Sequence, residues 1–307
     1  TLLPALSGPA LGQYDRQSER SEVAWWARLK SAVAGRIRQE LSATLFLDLD
    51  LMVEDLGREQ FFDWRFWFSS RWPFKPRAAQ ALSQRLINVG VCLKRPKAKV
   101  IVLDADNTLW GGVVGEDGLN GIALGPDYPG NLYLEFQRRI LEYQQRGFLL
   151  AICSKNNSAD LQQVLDEHPH QLIKDHHLAA RRVNWVDKPE NLKALANELN
   201  LGLDSFVFVD DSDHECAAVR QLLPEVEVVQ TPGKALMVPG CLDHVARLEI
   251  LSLTDEDRSK TALYAQERSR RELRESLDAS GGGYEDYLRS LQMRMEVGID
   301  DASHLQR

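Results

Sequence analysis

Between Ser21 and Leu41 the apolar residues Trp26, Leu29, Val33 and Ile37 recur three or four apart, the spacing of one helix face. Residues 1–20 are rich in Pro, Gly and polar side chains and predict a loose start. TLFLD (44–48) predicts a short strand. The aromatic-dense stretch GREQFFDWRFWFSSRWPFKP (57–76) has two readings, a helix and loop packed on a core or an exposed docking surface. Ala78–Leu93 is helical by period, and Pro96 and Lys97 punctuate it.

From Lys99 the rhythm changes. KVIVLD (99–104) is a β-branched apolar run of the kind a buried parallel strand needs. A helix (about 131–146), the strand FLLAICS (148–154), a helix (158–166) and the short apolar LIK (172–174), read as a short strand, follow. Then come a helix (189–200), the strand SFVFVD (205–210), a helix (about 213–222) and the strand EVEVV (225–229). This alternation predicts an α/β fold, a doubly wound parallel sheet with helices on both faces. After Leu253 the pattern is long, charged and helical (254–277), GGG (281–283) breaks it, and LQMRMEVG (291–298) alternates like a strand. Three regions are expected: an α-rich N-terminal flank (1–97), a catalytic core (98–250) and a C-terminal helical extension with a short strand (251–307).

Composition narrows the function classes. The chain has 307 residues, 44% hydrophobic and 27% charged, so it is globular rather than disordered. No apolar run reaches the ~18–20 residues of a membrane helix, and no membrane is expected as a partner. A net charge of -8 argues against general nucleic-acid binding. Cys92, Cys153, Cys216 and Cys241 show no CxxC spacing, which points away from a disulfide framework or zinc site and toward the reducing cytoplasm. The N-terminus lacks the pattern of a signal peptide, and with no initiator Met the chain is expected to be an excised piece of a larger protein.

Ligands of open α/β sheets bind outside the carboxyl ends of the strands. Those ends carry Asp104, Asp106 and Thr108; then Cys153, Ser154, Lys155, Asn156 and Asn157; then Asp187 and Lys188; then Asp210 and Asp211. This set suits phosphoryl chemistry. A carboxylate such as Asp104 can act as a nucleophile toward phosphorus, provided cations offset the repulsion between two anions. Asp104 and Asp210 suit Mg²⁺, and Lys188 supplies a second cation. The Ser154 hydroxyl and backbone N–H groups after Asp104 suit phosphate oxygens. Asp106, two residues on, is placed to protonate a leaving oxygen and then activate water. A second DxD, Asp48 and Asp50, reads as a strand-end turn.

DADNTLWGGVVGEDGLNGIALG (104–125), AICSKNN (151–157), RRVNWVDKPENLKALANELNLGLDSFVFVDDS (181–212) and LLPEVEVV (222–229) resemble the FkbH-like family of the haloacid dehalogenase (HAD) superfamily. The resemblance spans roughly residues 44–298. It implies a HAD-like Rossmannoid core without a large cap, and a glyceryltransferase and phosphatase of polyketide biosynthesis. Such an enzyme takes a phosphoglyceryl unit from 1,3-bisphosphoglycerate, removes the phosphate and loads the glyceryl group on the phosphopantetheine thiol of an acyl carrier protein. Carried onto this sequence, Asp104 is the nucleophile and a Mg²⁺ ligand. Asp106 is the acid/base and offers its carbonyl to the metal; Asp210 and Asp211 complete the acidic ligands. Thr108 supports the loop, and with Ser154, Lys155 and Lys188 makes the phosphate-binding set. Ala105 stands where relatives often have Leu, and SDHEC replaces the more usual NPxE after the Asp pair, so no role is assigned to residues 212–215.

Cys153 matches a cysteine beside the family's motif serine. Nearby cations would lower its thiol pKa, and a thiolate there could carry the acyl group as a thioester. WGGVVGEDG (110–118) is expected to be a flap beside an open mouth. Neither the Asp104–Ser154 gap nor the Ser154–Lys188 gap leaves room for an extra domain of ~50 residues or more. Arg181 and Arg182 could meet phosphate, a carrier protein's acidic helix, or solvent; His176 and His177 read as loop residues. The alternatives are a plain Mg²⁺-dependent phosphatase of a small metabolite and a catalytically inactive docking module.

Overall fold

The computed structural model describes residues 2–3, 18–41, 46–243, 245–249 and 264. Most of the expected loose start, the GGG break, the strand predicted at 291–298 and all of 254–277 but Tyr264 lie outside the described residues. The chain divides into two compact units, Thr1–Leu93 and Lys94–Arg307.

The first unit contains β1 (Leu2–Leu3), α1 (Glu22–Glu40), β2 (Leu47–Asp48), α2 (Leu49–Leu56), α3 (Arg58–Phe61), α4 (Trp64–Ser70) and α5 (Pro76–Lys94), the last ending at the boundary. Ser21 caps α1 by accepting from the Ala24 N–H at 3.1 Å, which satisfies one of the orphan donors of the first turn. The apolar face predicted for α1 is only partly used: Trp26 and Ile37 are half-buried, while Leu29 and Val33 are exposed. Asp48 closes β2 and caps α2 through the Asp50 N–H, so the second DxD is a strand-end turn. Lys30 donates to both carboxylates, a partner the sequence did not reveal. The aromatic stretch divides between its two readings. Phe61 is buried with Leu49, Met52, Val53, Ala78 and Leu82, and meets Phe62 and Phe74 edge-on. Trp64, Phe66, Phe68 and Trp72 remain exposed.

The second unit follows the predicted alternation closely. Its elements are β3 (Val100–Leu103), α6 (Val114–Asp117), α7 (Gly130–Gln145), β4 (Leu149–Ser154), α8 (Ser158–Glu167), β5 (Leu178–Val183), α9 (Lys188–Leu199), β6 (Phe206–Asp210), α10 (Asp213–Leu222) and β7 (Glu227–Gln230). The five strands form one parallel sheet in the order β5-β4-β3-β6-β7. Leu103 lies beside Ile152 on one flank and Val209 on the other, so β3, β4 and β6 end together. Alternate strand residues serve two cores. Ile101, Leu103, Leu150, Ile152, Val207 and Val209 pack with α7 and α8. Val100, Val102, Leu149, Ala151, Phe206 and Phe208 pack with α9 and α10. Each fully buried side chain of this kind contributes ~1.5–3 kcal/mol, so the two cores fix the strand register.

One strand is not where the pattern placed it. LIK (172–174) has no regular structure, and the edge strand is β5, LAARRV. The reason is a buried side chain. Gln137 Oε1 on α7 accepts from the N–H groups of Leu172 (2.9 Å) and Ile173 (3.2 Å), taking the donors a ladder would need. Its Nε2 donates to the Leu109 carbonyl (2.8 Å) and to Gln171 Oε1 (2.9 Å), tying this segment to the loop after β3. Gln137→Leu leaves these buried groups without partners, and is expected to destabilise the second unit by about 3 kcal/mol. Urea unfolding followed by circular dichroism checks this; a loss below about 0.5 kcal/mol, the range of neutral surface changes, contradicts it.

Candidate active site

Asp104 follows directly on β3, and its N–H donates to the Val209 carbonyl at 2.9 Å, extending the ladder to β6. Asp210 is the last residue of β6 and is fully buried; its Oδ1 accepts from the Ser212 N–H at 2.8 Å. Lys188 opens α9, with Asp187 in the capping position and Pro189 in the first turn, where its missing N–H costs nothing. The Lys188 ammonium donates to Asp104 Oδ1 at 2.7 Å and to Asp210 Oδ2. It also lies over the Phe208 ring, 5.6 Å from its centroid. One buried cation therefore holds two buried carboxylates that would otherwise repel.

The electrostatics follow from burial. Desolvation pushes the Asp104 carboxyl up; the Lys188 charge opposes this and the Asp210 charge adds to it, leaving the net direction upward. Burial alone would lower Lys188, but Asp104 and Asp210 more than reverse it, so the ammonium stays charged. Ser154, itself buried, lies near enough to favour the ionised form of Asp104, against the burial. Asp211 is half-buried and raised first by desolvation and next by Asp210. Ligand oxygens of Asp104, Asp210 and Asp211 all lie within 4.8 Å of one another. Three hard oxygen donors at this spacing fit a small divalent cation such as Mg²⁺. The Asp106 carboxylate lies outside this trio.

Asp106 is held instead from three sides. Its Oδ1 accepts from Trp110 Nε1 (2.9 Å) and the Val114 N–H (3.0 Å), and its Oδ2 from Asn156 Nδ2 (2.9 Å). Burial, the largest influence, raises its pKa above the ordinary carboxylate value, against these hydrogen bonds. Sequence reasoning assigned no role to Asn156 or Trp110. Both residues were visible in the motifs, but their shared partner was not.

Three expectations need correcting. First, WGGVVGEDG is no free flap. Trp110 is fully buried, and Gly111 exchanges hydrogen bonds with Ala123 at 3.1 and 2.7 Å. Gly112 (φ +95°) donates to Asn107 Oδ1, and a Cβ at this position would collide with the Asp117 carboxylate. Second, Lys155 does not face a phosphate site. Its ammonium is spent on Glu215 (2.9 Å) and Asp187 (3.2 Å), which staples the loop after β4 to the starts of α9 and α10. That gives Glu215, one of the residues left without a role, a positioning contact.

Third, Cys153 is not a rim thiolate. It is fully buried in the core under α9 and α10. Desolvation pushes its thiol up to about 12; the Lys188 charge pulls the other way and is outweighed. Arg181 and Arg182, whose role the sequence left open, are engaged in ion pairs, Arg181 with Asp175 and Arg182 with Glu198. Thr108 is fully buried beneath the loop, its N–H donating to Ala105 and its Oγ1 without a partner. His176 and His177 form a single turn between α8 and β5, as loop residues should.

The connection from β3 to β4 holds α6 and α7, and that from β4 to Lys188 holds α8 and β5. Both connections are described throughout, and neither contains a separately folded cap.

No protein-family model matches the chain, and no curated protein does either. Among solved structures it resembles the N-terminal part of the protein BF1531 from Bacteroides fragilis, which contains a phosphatase domain and is complexed with Mg. The TM-score is 0.68 and the identity 27%, covering 81% of this chain and 66% of that one. The chain thus spans just under two thirds of that structure's length. A more distant likeness is to a HAD family enzyme from Bacteroides thetaiotaomicron in complex with magnesium and inorganic phosphate. There the TM-score is 0.33 and the identity 14%, over 45% of this chain and 96% of the other. The second unit has the HAD-like Rossmannoid α/β fold. The FkbH-like resemblance is narrower than these neighbours reach.

The buried thiol has a measurable consequence. In the folded protein Cys153 is expected to resist iodoacetamide at pH 8 and to react once the chain is unfolded in urea, as read by peptide mass spectrometry. Because its folded pKa is raised, its contribution to stability is complete below the ordinary thiol value near 9 and is lost as pH rises toward about 12. Rapid alkylation of Cys153 in the native state would contradict this.

Proposed function

We propose that the chain is a Mg²⁺-dependent phosphatase that works through an aspartyl-phosphate on Asp104. The observation carrying this reading is the trio Asp104, Asp210 and Asp211, gathered at the carboxyl ends of a parallel sheet, with buried Lys188 bridging Asp104 and Asp210. The Mg-bound phosphatase domain of BF1531 supports it. Asp104, Asp210 and Asp211 would hold the cation, which when bound offsets the charge of a phosphate and polarises it.

The residues divide the work as follows. An Asp104 oxygen attacks phosphorus, and the bond from phosphorus to the leaving oxygen breaks. Asp106, whose burial favours the protonated form, gives its proton to that leaving oxygen. The resulting Asp106 carboxylate then takes a proton from water. That water attacks phosphorus, the bond to Asp104 breaks, and inorganic phosphate leaves. Lys188 orients Asp104 throughout, and Ser154 favours its ionised form. Asp104→Asn keeps the size but removes the nucleophile, and is expected to slow Mg²⁺-dependent phosphate release at least about a hundredfold. Release at near the wild-type rate would sink the assignment.

The narrower reading follows the motif resemblance. The phosphorylated substrate is 1,3-bisphosphoglycerate, and the glyceryl group passes to the phosphopantetheine thiol of an acyl carrier protein. The lack of a cap between Asp104 and Lys188 supports a substrate carried on a protein. The four cysteines, with no CxxC spacing among them, support a reducing, cytoplasmic setting. Since Cys153 is buried, the carrier thiol attacks the acyl phosphate carbonyl directly: the S–C bond forms, the C–O bond to phosphate breaks, and the thiol proton passes to solvent. Cys153→Ala is therefore expected to load a holo carrier protein at close to the wild-type rate, measured by intact mass. Loss of loading in that variant would restore the thioester route.

A further inference from the structure

The loop after β3 and the loop after β4 meet at one carboxylate, Asp106. Its Oδ1 accepts twice, from Trp110 Nε1 at 2.9 Å and the Val114 N–H at 3.0 Å, and its Oδ2 accepts once, from Asn156 Nδ2 at 2.9 Å. A carboxylate offers about four acceptor sites over its two oxygens. Both on Oδ1 are taken, so the site still open lies on Oδ2, beside the Asn156 amide. Asn156 is itself fixed. It is 5% exposed, and its Oδ1 accepts from the Asn157 N–H at 2.9 Å. That bond commits the oxygen end of the side-chain amide to the residue that precedes α8, and turns the Nδ2 end toward Asp106. Trp110 is fully buried, so its indole N–H has no water to turn to.

We propose that Asn156, with Trp110, is a positioning residue for phosphoryl transfer: it holds the Asp106 carboxyl in one orientation, with a single open site on Oδ2 through which a proton passes to the leaving oxygen. This deepens the phosphoryl-transfer reading above and rests on it. The donors to Asp106 come from two separate loops, so turning the carboxyl breaks bonds on both sides at once. Hydrogen bonds to a carboxylate are the stronger kind, and a half-buried setting makes their loss costlier. Orientation settled in advance is what lets a general acid act as the bond to phosphorus breaks. The demand is greatest for an alkyl phosphate such as a phosphoglyceryl unit, whose alkoxide does not leave without a proton. A nitrophenolate leaves without one.

The test measures kcat/KM for phosphate release from glycerol 3-phosphate and from 4-nitrophenyl phosphate, on the full chain with Mg²⁺. For a phosphorylated-enzyme route, kcat/KM covers the steps up to departure of the leaving group, and so isolates the proton donation. Asn156→Ala is expected to lower it about a hundredfold for glycerol 3-phosphate and less than about threefold for 4-nitrophenyl phosphate, with Mg²⁺ binding by calorimetry unchanged. Asn156→Asp keeps the shape and the oxygen that Asn157 uses but loses the donor, and is expected to show the same split. Equal losses on both substrates in the two variants mark Asn156 as a staple between loops and overturn the proposal. So does an unchanged rate on glycerol 3-phosphate; in either case the phosphatase reading stands. A wild type that releases phosphate from neither substrate sinks that reading, and the positioning role with it.

Discussion

A single buried ammonium is the constraint on which the site depends. Lys188 sits between Asp104 and Asp210, both almost without solvent, and over the face of Phe208. Two carboxylates in so dry a place repel strongly, and breaking a buried pair by removing one partner typically costs 3–5 kcal/mol. The surrounding structure is arranged to keep the lysine in position. It leads a helix whose buried face, Leu192, Leu195 and Leu199, is packed on the sheet. Its loop is pinned by the Asn184–Asn191 amide pair, and its capping residue Asp187 is tied to Lys155. Position here is fixed by packing, not by the reach of a flexible side chain.

Much of this was legible in the chain. Strands buried on both faces announce themselves as continuous apolar runs, and KVIVLD, FLLAICS and SFVFVD lie within a residue of β3, β4 and β6. The acidic and basic residues at their ends could be placed by the topology rule alone. The edge strand was harder. LAARRV carries two arginines and half-exposed positions, whereas LIK looks more apolar but loses its ladder donors to Gln137.

Contacts across the chain explain the remaining differences. Lys155 is adjacent to a phosphate-type serine, yet its partners are Glu215 and Asp187, brought near only by folding. Cys153 and Ser154 are neighbours in sequence, but successive strand residues point to opposite faces. That alternation gives Ser154 to the site and Cys153 to the core beneath α9. Glycines in WGGVVGEDG suggested freedom. They serve instead for close approach, as at Gly111 against Tyr133 and Gly112 against Asp117.

The strand order has a consequence for synthesis. β3, the central strand, emerges from the ribosome before either of its neighbours, β4 and β6. Asp104 is thus among the first site residues made, and Asp210 and Asp211 among the last. The Asp104 N–H has no acceptor until Val209 arrives, and Lys188 has only one of its two carboxylates until β6 is complete. A nascent chain shorter than about the end of β6 therefore has a half-built sheet with an unpaired flank on its central strand. The cluster of Asp104, Lys188 and Asp210 is therefore complete only once β6 pairs with β3, and β7 then adds the last edge.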